Sequence, residues 1–178
     1  MKKIITSFTI LFTVLVLGQS ADQNYVKTTV FREAGGSSPK ANITYFDGLG
    51  RPIEQVAHQQ STSGNDIVTP IEYDAFGRQV KEYLPMVSGQ TLNYHGLTGN
   101  DIINYYTSPP EPTQEATQYP YSEKELESSP LNRVFKQAAP GARWRLGSGH
   151  EVKFRYETNS LNEVRLFRVS TTWNANLL

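Results

Sequence analysis

Cysteine is absent from the sequence, histidine occurs three times, tryptophan twice, and neither sign of charge is in excess. Without cysteine there can be no disulfide, thiolate metal site or cysteine nucleophile, so packing and hydrogen bonds must carry stability. His58, His95 and His150 stand far apart with no paired ligand spacing, and no metal site is expected of them. Seventeen basic residues balance 17 acidic ones. No global field therefore draws the chain to nucleic acid or an anionic membrane, and neither is an expected partner. Phosphate-binding glycine loops are missing. Gly147-Ser148-Gly149-His150 lacks the Gly-x-Ser-x-Gly elbow of a serine hydrolase and reads as a turn. Glu123, Glu125 and Glu127 alternate along what reads as a short solvated helix rather than across a cleft, which argues against a glycosidase pair. The expectation is a protein that is not an enzyme, with no catalytic residue and no cofactor.

Long apolar runs are also lacking, except at the N-terminus. Lys2 and Lys3 precede a 15-residue apolar stretch, Ile4 to Gly18, in the order of a secretory signal: basic, apolar, then small residues. Cleavage is expected after Ser20, with Gly18 nearly as good. This makes residues 1–20 a signal peptide and the remainder an exported chain of periplasm, surface or medium, with no membrane association once the signal is removed. Lipid attachment through this segment is excluded, because no cysteine is present to carry it.

The remaining residues are enough for one domain with a real core. Apolar alternation of period two predicts strands, and the fold class is mainly β, an antiparallel sheet of hairpins. Val152, Phe154 and Tyr156 against Lys153, Arg155 and Glu157 give the cleanest alternation. Strands are also expected over Ile67–Tyr73, with Pro70 at an edge or bulge, and over Tyr25–Phe31, Ile43–Phe46, Val80–Leu84 and Val164–Val169. Residues 88–120, rich in Pro, Gly, Thr and Gln, read as loop or linker, with one or two helical turns over Asp101–Tyr106. Ser122 and Glu125 form a capping-box pattern, with Tyr121 and Leu126 as its staple, predicting a short helix that Pro130 stops. The expected layout is hairpins over 21–87, loop over 88–120, then a short helix and strands over 121–178, packed as one domain with the hairpins.

A repeat is the most informative feature. Phe46-Asp47-Gly48-Leu49-Gly50-Arg51 and Tyr73-Asp74-Ala75-Phe76-Gly77-Arg78 share aromatic, Asp, two variable positions, Gly and Arg. Aspartate can cap the amides of a type I turn, and glycine enters the left-handed region that follows without strain, so each copy predicts a hairpin turn. The aromatic and the arginine are expected to face each other at the hairpin end. Tyr156–Leu166 keeps only a degenerate version.

These copies resemble the YD repeats of the RHS family, whose signature is Tyr-Asp-x-x-Gly-Arg. The chain as a whole is similar to the uncharacterised domain that precedes RHS-repeat cores in secreted bacterial proteins. Pro120–Lys124, Ser129–Val134 and Leu146–His150 follow that domain in the same order. RHS repeats build a β-sheet that winds into a hollow shell, in many cases around a toxin. The resemblance therefore implies a structural module at the start of such a shell or surface protein, its partners being downstream repeats or neighbouring sheet edges. The strand pattern ending in Thr171–Leu178 shows no cap, so an open edge and self-association are expected.

A second possibility is glycan binding. Arg133, Lys136, Arg143 and Arg145 surround Phe135 and Trp144 in sequence, an aromatic and basic combination that suits a sugar. The competing reading buries Trp144 as a core anchor with the arginines as a solvated rim.

Overall fold

The computed structural model describes residues 22–36, 38–110, 114–161, 163, 165 and 167–171. The signal segment 1–20 lies outside them. The described chain is mainly β, with two antiparallel sheets and one short helix. Its strands are β1 (Asn24–Val30), β2 (Lys40–Phe46), β3 (Pro52–Ala57), β4 (Ile67–Pro70), β5 (Lys81–Tyr83) and β6 (Met86–Val87). Helix α1 (Gly99–Thr107) follows, then β7 (Tyr121–Leu126), β8 (Val134–Ala138) and β9 (Val152–Lys153). The first sheet has the order β1-β2-β3-β4-β6, the second β5-β7-β8-β9.

Alternation on β2 puts Ala41, Ile43 and Tyr45 on one buried face, and Ile43 and Tyr45 join Val56 and Val68 in the first core cluster. The loop after β6 covers that face. Its Leu92, Tyr94 and Leu97 pack on the cluster, and the Tyr45 hydroxyl donates to the Leu92 carbonyl. The loop is fixed by an unusual anchor, the wholly buried carboxylate of Glu54 on β3. It accepts the backbone N–H of His95 at 2.8 Å and of Leu97 at 3.3 Å, with His95 Nδ1 at 3.2 Å. A buried carboxylate demands such donors, because an unsatisfied one would carry its whole desolvation cost.

Pro70 ends β4 at a point where β6, paired only with Ile67 and Val68, no longer reaches. The missing N–H therefore costs no ladder bond. Beyond it the chain leaves the first sheet, passes a turn at 74–78 and enters the second as β5. The second expected hairpin is thus a corner between sheets, not a ribbon.

Helix α1 is a full nine residues inside the segment that reads as loop. Thr98 caps it: the Asp101 carboxylate accepts both the Thr98 N–H (2.8 Å) and hydroxyl (2.7 Å), and Glu72 accepts the Gly99 N–H at 2.6 Å. Ile102 and Tyr106 bury against Tyr83 as a second cluster. The fit requires glycine at 99, since a Cβ there would lie 2.1 Å from the Tyr83 hydroxyl.

Three expectations are corrected. The helix expected after Ser122 is strand β7. Its charges pair with neighbouring strands, Glu123 with Lys81 (3.9 Å), Glu125 with Lys136 (2.7 Å) and Lys124 with Glu82. Two of those pairs, Lys81 with Glu123 and Lys136 with Glu125, are directly opposite in register. The alternation over Val152–Tyr156 yields only two strand residues, all three apolar side chains remaining exposed. The strand expected over 164–169 is not formed at the described residues 165 and 167–169. A strand needs a partner for its backbone groups, and among the described residues β9 has none on its far side.

Candidate functional site: a stack of acid and arginine turns

Both sequence repeats form the expected turn, with closely matching geometry. Asp47 Oδ1 accepts the N–H groups of Leu49 and Arg51, each at 2.9 Å, and Oδ2 accepts Arg51 Nε at 2.8 Å. Asp74 repeats every bond with Phe76 and Arg78, again at 2.9, 2.9 and 2.8 Å. Gly50 and Gly77 take φ of 77° and 75°, the left-handed region where a side chain is strained. Both aspartates are held below the ordinary carboxylate range, first by the arginine's backbone N–H and then by its guanidinium, which outweigh partial burial. In the first turn Phe46 stands opposite Pro52 rather than its own arginine as expected, and the Arg51 guanidinium folds back onto Asp47.

A third unit, hidden in the sequence, closes the β7–β8 hairpin. Ser129-Pro130-Leu131-Asn132-Arg133 makes the same turn with Ser for Asp and Asn for Gly. Ser129 Oγ accepts the Leu131 N–H at 3.2 Å, its carbonyl accepts the Asn132 N–H at 3.2 Å, and Asn132 has φ of 52°. Serine lacks a charge for the arginine, and Glu127 supplies it. Glu127 accepts Arg133 Nε at 3.0 Å, Nη2 at 2.8 Å and the backbone N–H at 3.1 Å. One aspartate does both tasks in the first two turns; here Ser129 and Glu127 divide them. The Arg133 guanidinium beside Glu127 pulls its carboxyl from 4.5 down to about 2. The readable signal was the left-handed-tolerant Asn directly before Arg, with an apolar residue one place earlier, as in Leu49-Gly50-Arg51 and Phe76-Gly77-Arg78.

Each arginine also reaches the next unit. Arg51 lies 4.5 Å above the Tyr73 ring, and its Nη1 comes within 3.1 Å of where a Gly77 Cβ would stand. Tyr73 returns the contact by donating its hydroxyl to the Pro52 carbonyl at 2.9 Å. Arg78 Nη1 donates to Asn132 Oδ1 at 3.1 Å. Arg133 lies 5.0 Å above Tyr156. The turns therefore form a stack, with Leu49, Phe76 and Leu131 exposed at the three tips. Beside the longer third turn a cleft of about 540 Å³ is lined by Phe76, Leu126 and Pro130, among others.

Residues 20–158 match the family described as Domain of unknown function (DUF6443). The chain belongs to the DUF6443 family. No curated protein sequence matches it. The DUF6443 region spans all three turns and both sheets.

Chemically the stack is occupied: Asp47, Asp74 and Glu127 are each engaged by an arginine. Among the described residues no three metal-ligating side chains converge, and no helix is long and apolar enough to cross a membrane. The aromatic and basic group is placed differently from either the core or a single patch. Trp144 is half exposed and meets His150 edge-on at 5.3 Å, so it is no core anchor. Arg145 lies over Tyr119 at 5.2 Å, and Arg143 is exposed. Phe135 instead packs with Tyr156, beside Arg133.

Proposed function

We propose that this DUF6443 chain is a structural module, the N-terminal segment of a secreted RHS or YD-repeat shell or surface protein, and that it acts by handing its sheet on to further repeats. The observation that carries this reading is the arginine stack. Three turns of one design each engage the following unit, and the last step, Arg133 over Tyr156, ends beside the two-residue edge strand β9 with Phe135, Val152, Phe154 and Tyr156 exposed around it. Exposed apolar side chains along a free strand edge invite further pairing. An antibody raised to the chain is expected to detect, in the producing cell's exported fraction, a protein far larger than 20.0 kDa. The chain alone is expected to self-associate in light scattering. A native species of the chain's own mass, together with a monodisperse monomer, would remove the proposal.

A second reading, a self-standing glycan-binding or adhesive surface module, draws support from the exposure of Trp144 on its loop with Arg143 and Arg145. Aromatic faces with flanking polar groups suit sugar rings. Binding on a glycan array that Trp144→Ala abolishes without altering the circular dichroism spectrum is its test; silence on every glycan disposes of it.

A further inference from the structure

The contact between an arginine and the following unit differs at one step of the stack. Arg51 lies over the ring of Tyr73, and Arg133 over the ring of Tyr156. Both tyrosines stand directly before an acid, Asp74 and Glu157. In the third turn the corresponding place, directly before the capping Ser129, is held by Ser128. Arg78 therefore receives no ring from the next unit among the described residues. Its ring contact is with Phe76 of its own turn, at 5.1 Å.

The cleft of about 540 Å³ opens at this same step. Arg78 and Ser128 both line it, and Phe76, Leu126 and Pro130 form its apolar wall. The volume lies in the range of small-ligand sites, roughly 300–1,000 Å³, which is ample for one aromatic ring and its backbone. Phe76 stands 82% exposed at the rim, so most of its ring is uncovered. The Arg78 guanidinium is held along its edges, by Asp74 through Nε and Nη2 and by Asn132 through Nη1. A planar guanidinium bound in that way keeps its faces for stacking.

We propose that this cleft docks a tyrosine side chain carried on an exposed segment of a partner protein. The ring packs beside Phe76 in an offset or edge contact and meets the guanidinium of Arg78 as Tyr73 meets that of Arg51. Leu126 and Pro130 cover its apolar body. The Ser128 hydroxyl takes the phenol, a polar partner of the kind that Tyr73 finds in the Pro52 carbonyl. The site uses the geometry of the arginine stack but does not need the shell reading, which is tested by native size and self-association.

Saturation-transfer NMR on the full chain suits the question, because it tolerates a self-associating protein. The probes are capped Gly-Tyr-Gly, Gly-Phe-Gly, Gly-Leu-Gly and Gly-Ala-Gly peptides. The tyrosine peptide is expected to give the strongest signal, centred on its ring protons, the phenylalanine peptide a weaker one, and the other two none. Phe76→Ala, a change at an exposed side chain, should weaken binding about fivefold, the scale of one aromatic pair. Ser128→Tyr should fill the cleft from within and abolish binding. Trp144→Ala and Phe154→Ala should leave the signal unchanged, as should Phe76→Ala the self-association seen in light scattering. Equal signal from the leucine peptide, or binding that survives both Phe76→Ala and Ser128→Tyr, would overturn the proposal. So would the absence of any signal, or a signal lost in Phe154→Ala, which would place the peptide on the β9 face. Loss of self-association in Phe76→Ala would make the occupant a second copy of this chain and remove the assignment to a partner protein.

Discussion

The two sheets solve the same burial problem with different resources. The first has a covering loop, tied down by Glu54, and a cluster in which Ile43, Tyr45, Val56 and Val68 are almost wholly shielded. The second borrows α1 at its β5 end and thins out toward β9, where Phe135, Val152, Phe154 and Tyr156 remain exposed. Its strands are also linked by cross-strand ion pairs, which in such partly exposed positions contribute little each. The difference shows that one half of the domain completes its own core, whereas the other presents a face.

The sharpest way to break that comparison is to delete core volume on each side. Ile43→Ala should cost about 2–5 kcal/mol, the range for a large side chain removed from a closed core. Val152→Ala should change stability by no more than about 0.5 kcal/mol. Urea unfolding monitored by circular dichroism measures both, and equal losses would mean that the β9 face is covered in solution.

A smaller effect is expected at the corner between the sheets. Gly77→Ala forces a left-handed residue to carry a side chain, at about 1–2 kcal/mol. It also crowds Arg51 off Tyr73, whereas Gly50→Ala meets nothing within 4 Å. The Gly77 variant should therefore be the less stable by about 0.5–1 kcal/mol, the value of an exposed cation–π contact. Equal midpoints for the two variants would show that the first two turns do not depend on each other.

The smallest effect separates the sheets by pH. The Glu127 carboxyl is lowered from 4.5 to about 2 on folding. A depressed folded value stabilises above the unfolded one, and that contribution fades as pH falls from about 4.5 toward 2. Glu127→Gln should flatten the acid side of the stability curve, and amides of β7 and β8 should lose protection first in hydrogen exchange. An unchanged acid profile would detach the third turn from the stability of the second sheet.

The first sheet was largely legible. Its strands obey alternation because one face is truly buried, and the turns at 47–51 and 74–78 carry their chemistry in adjacent residues. The segment Tyr121–Leu126 misled because Ser122 and Glu125 match a capping box, worth about 1 kcal/mol. Its alternating charges instead meet Lys81, Lys136 and Glu82 on other strands, and sequence spacing does not show such partners. Alternation over Val152–Tyr156 misled for the opposite reason, since pattern alone does not supply a neighbouring strand. The third turn escaped notice because its acid and its turn-capping oxygen sit on different residues. Within a Pro-rich stretch, Thr98 and Asp101 were a cap available to be read, but composition outweighed them. Trp144 was open to two readings in the sequence, a ring turned to a sugar or a core anchor, and its half-exposed place removes the second.

The arginine contacts between units also have a polarity. Arg51, Arg78 and Arg133 each find the neighbouring unit further along the chain. A polypeptide that appears N-terminus first, whether from a ribosome or through a secretion channel, can therefore finish each layer as soon as the following one emerges. The growing end always holds one guanidinium awaiting its cover. Truncation is correspondingly asymmetric: loss of the earliest layer strips no later arginine of its forward contact, whereas loss of the last leaves Arg133 without Tyr156. Such an assembly has a leading end and a trailing end fixed by the order of its own residues.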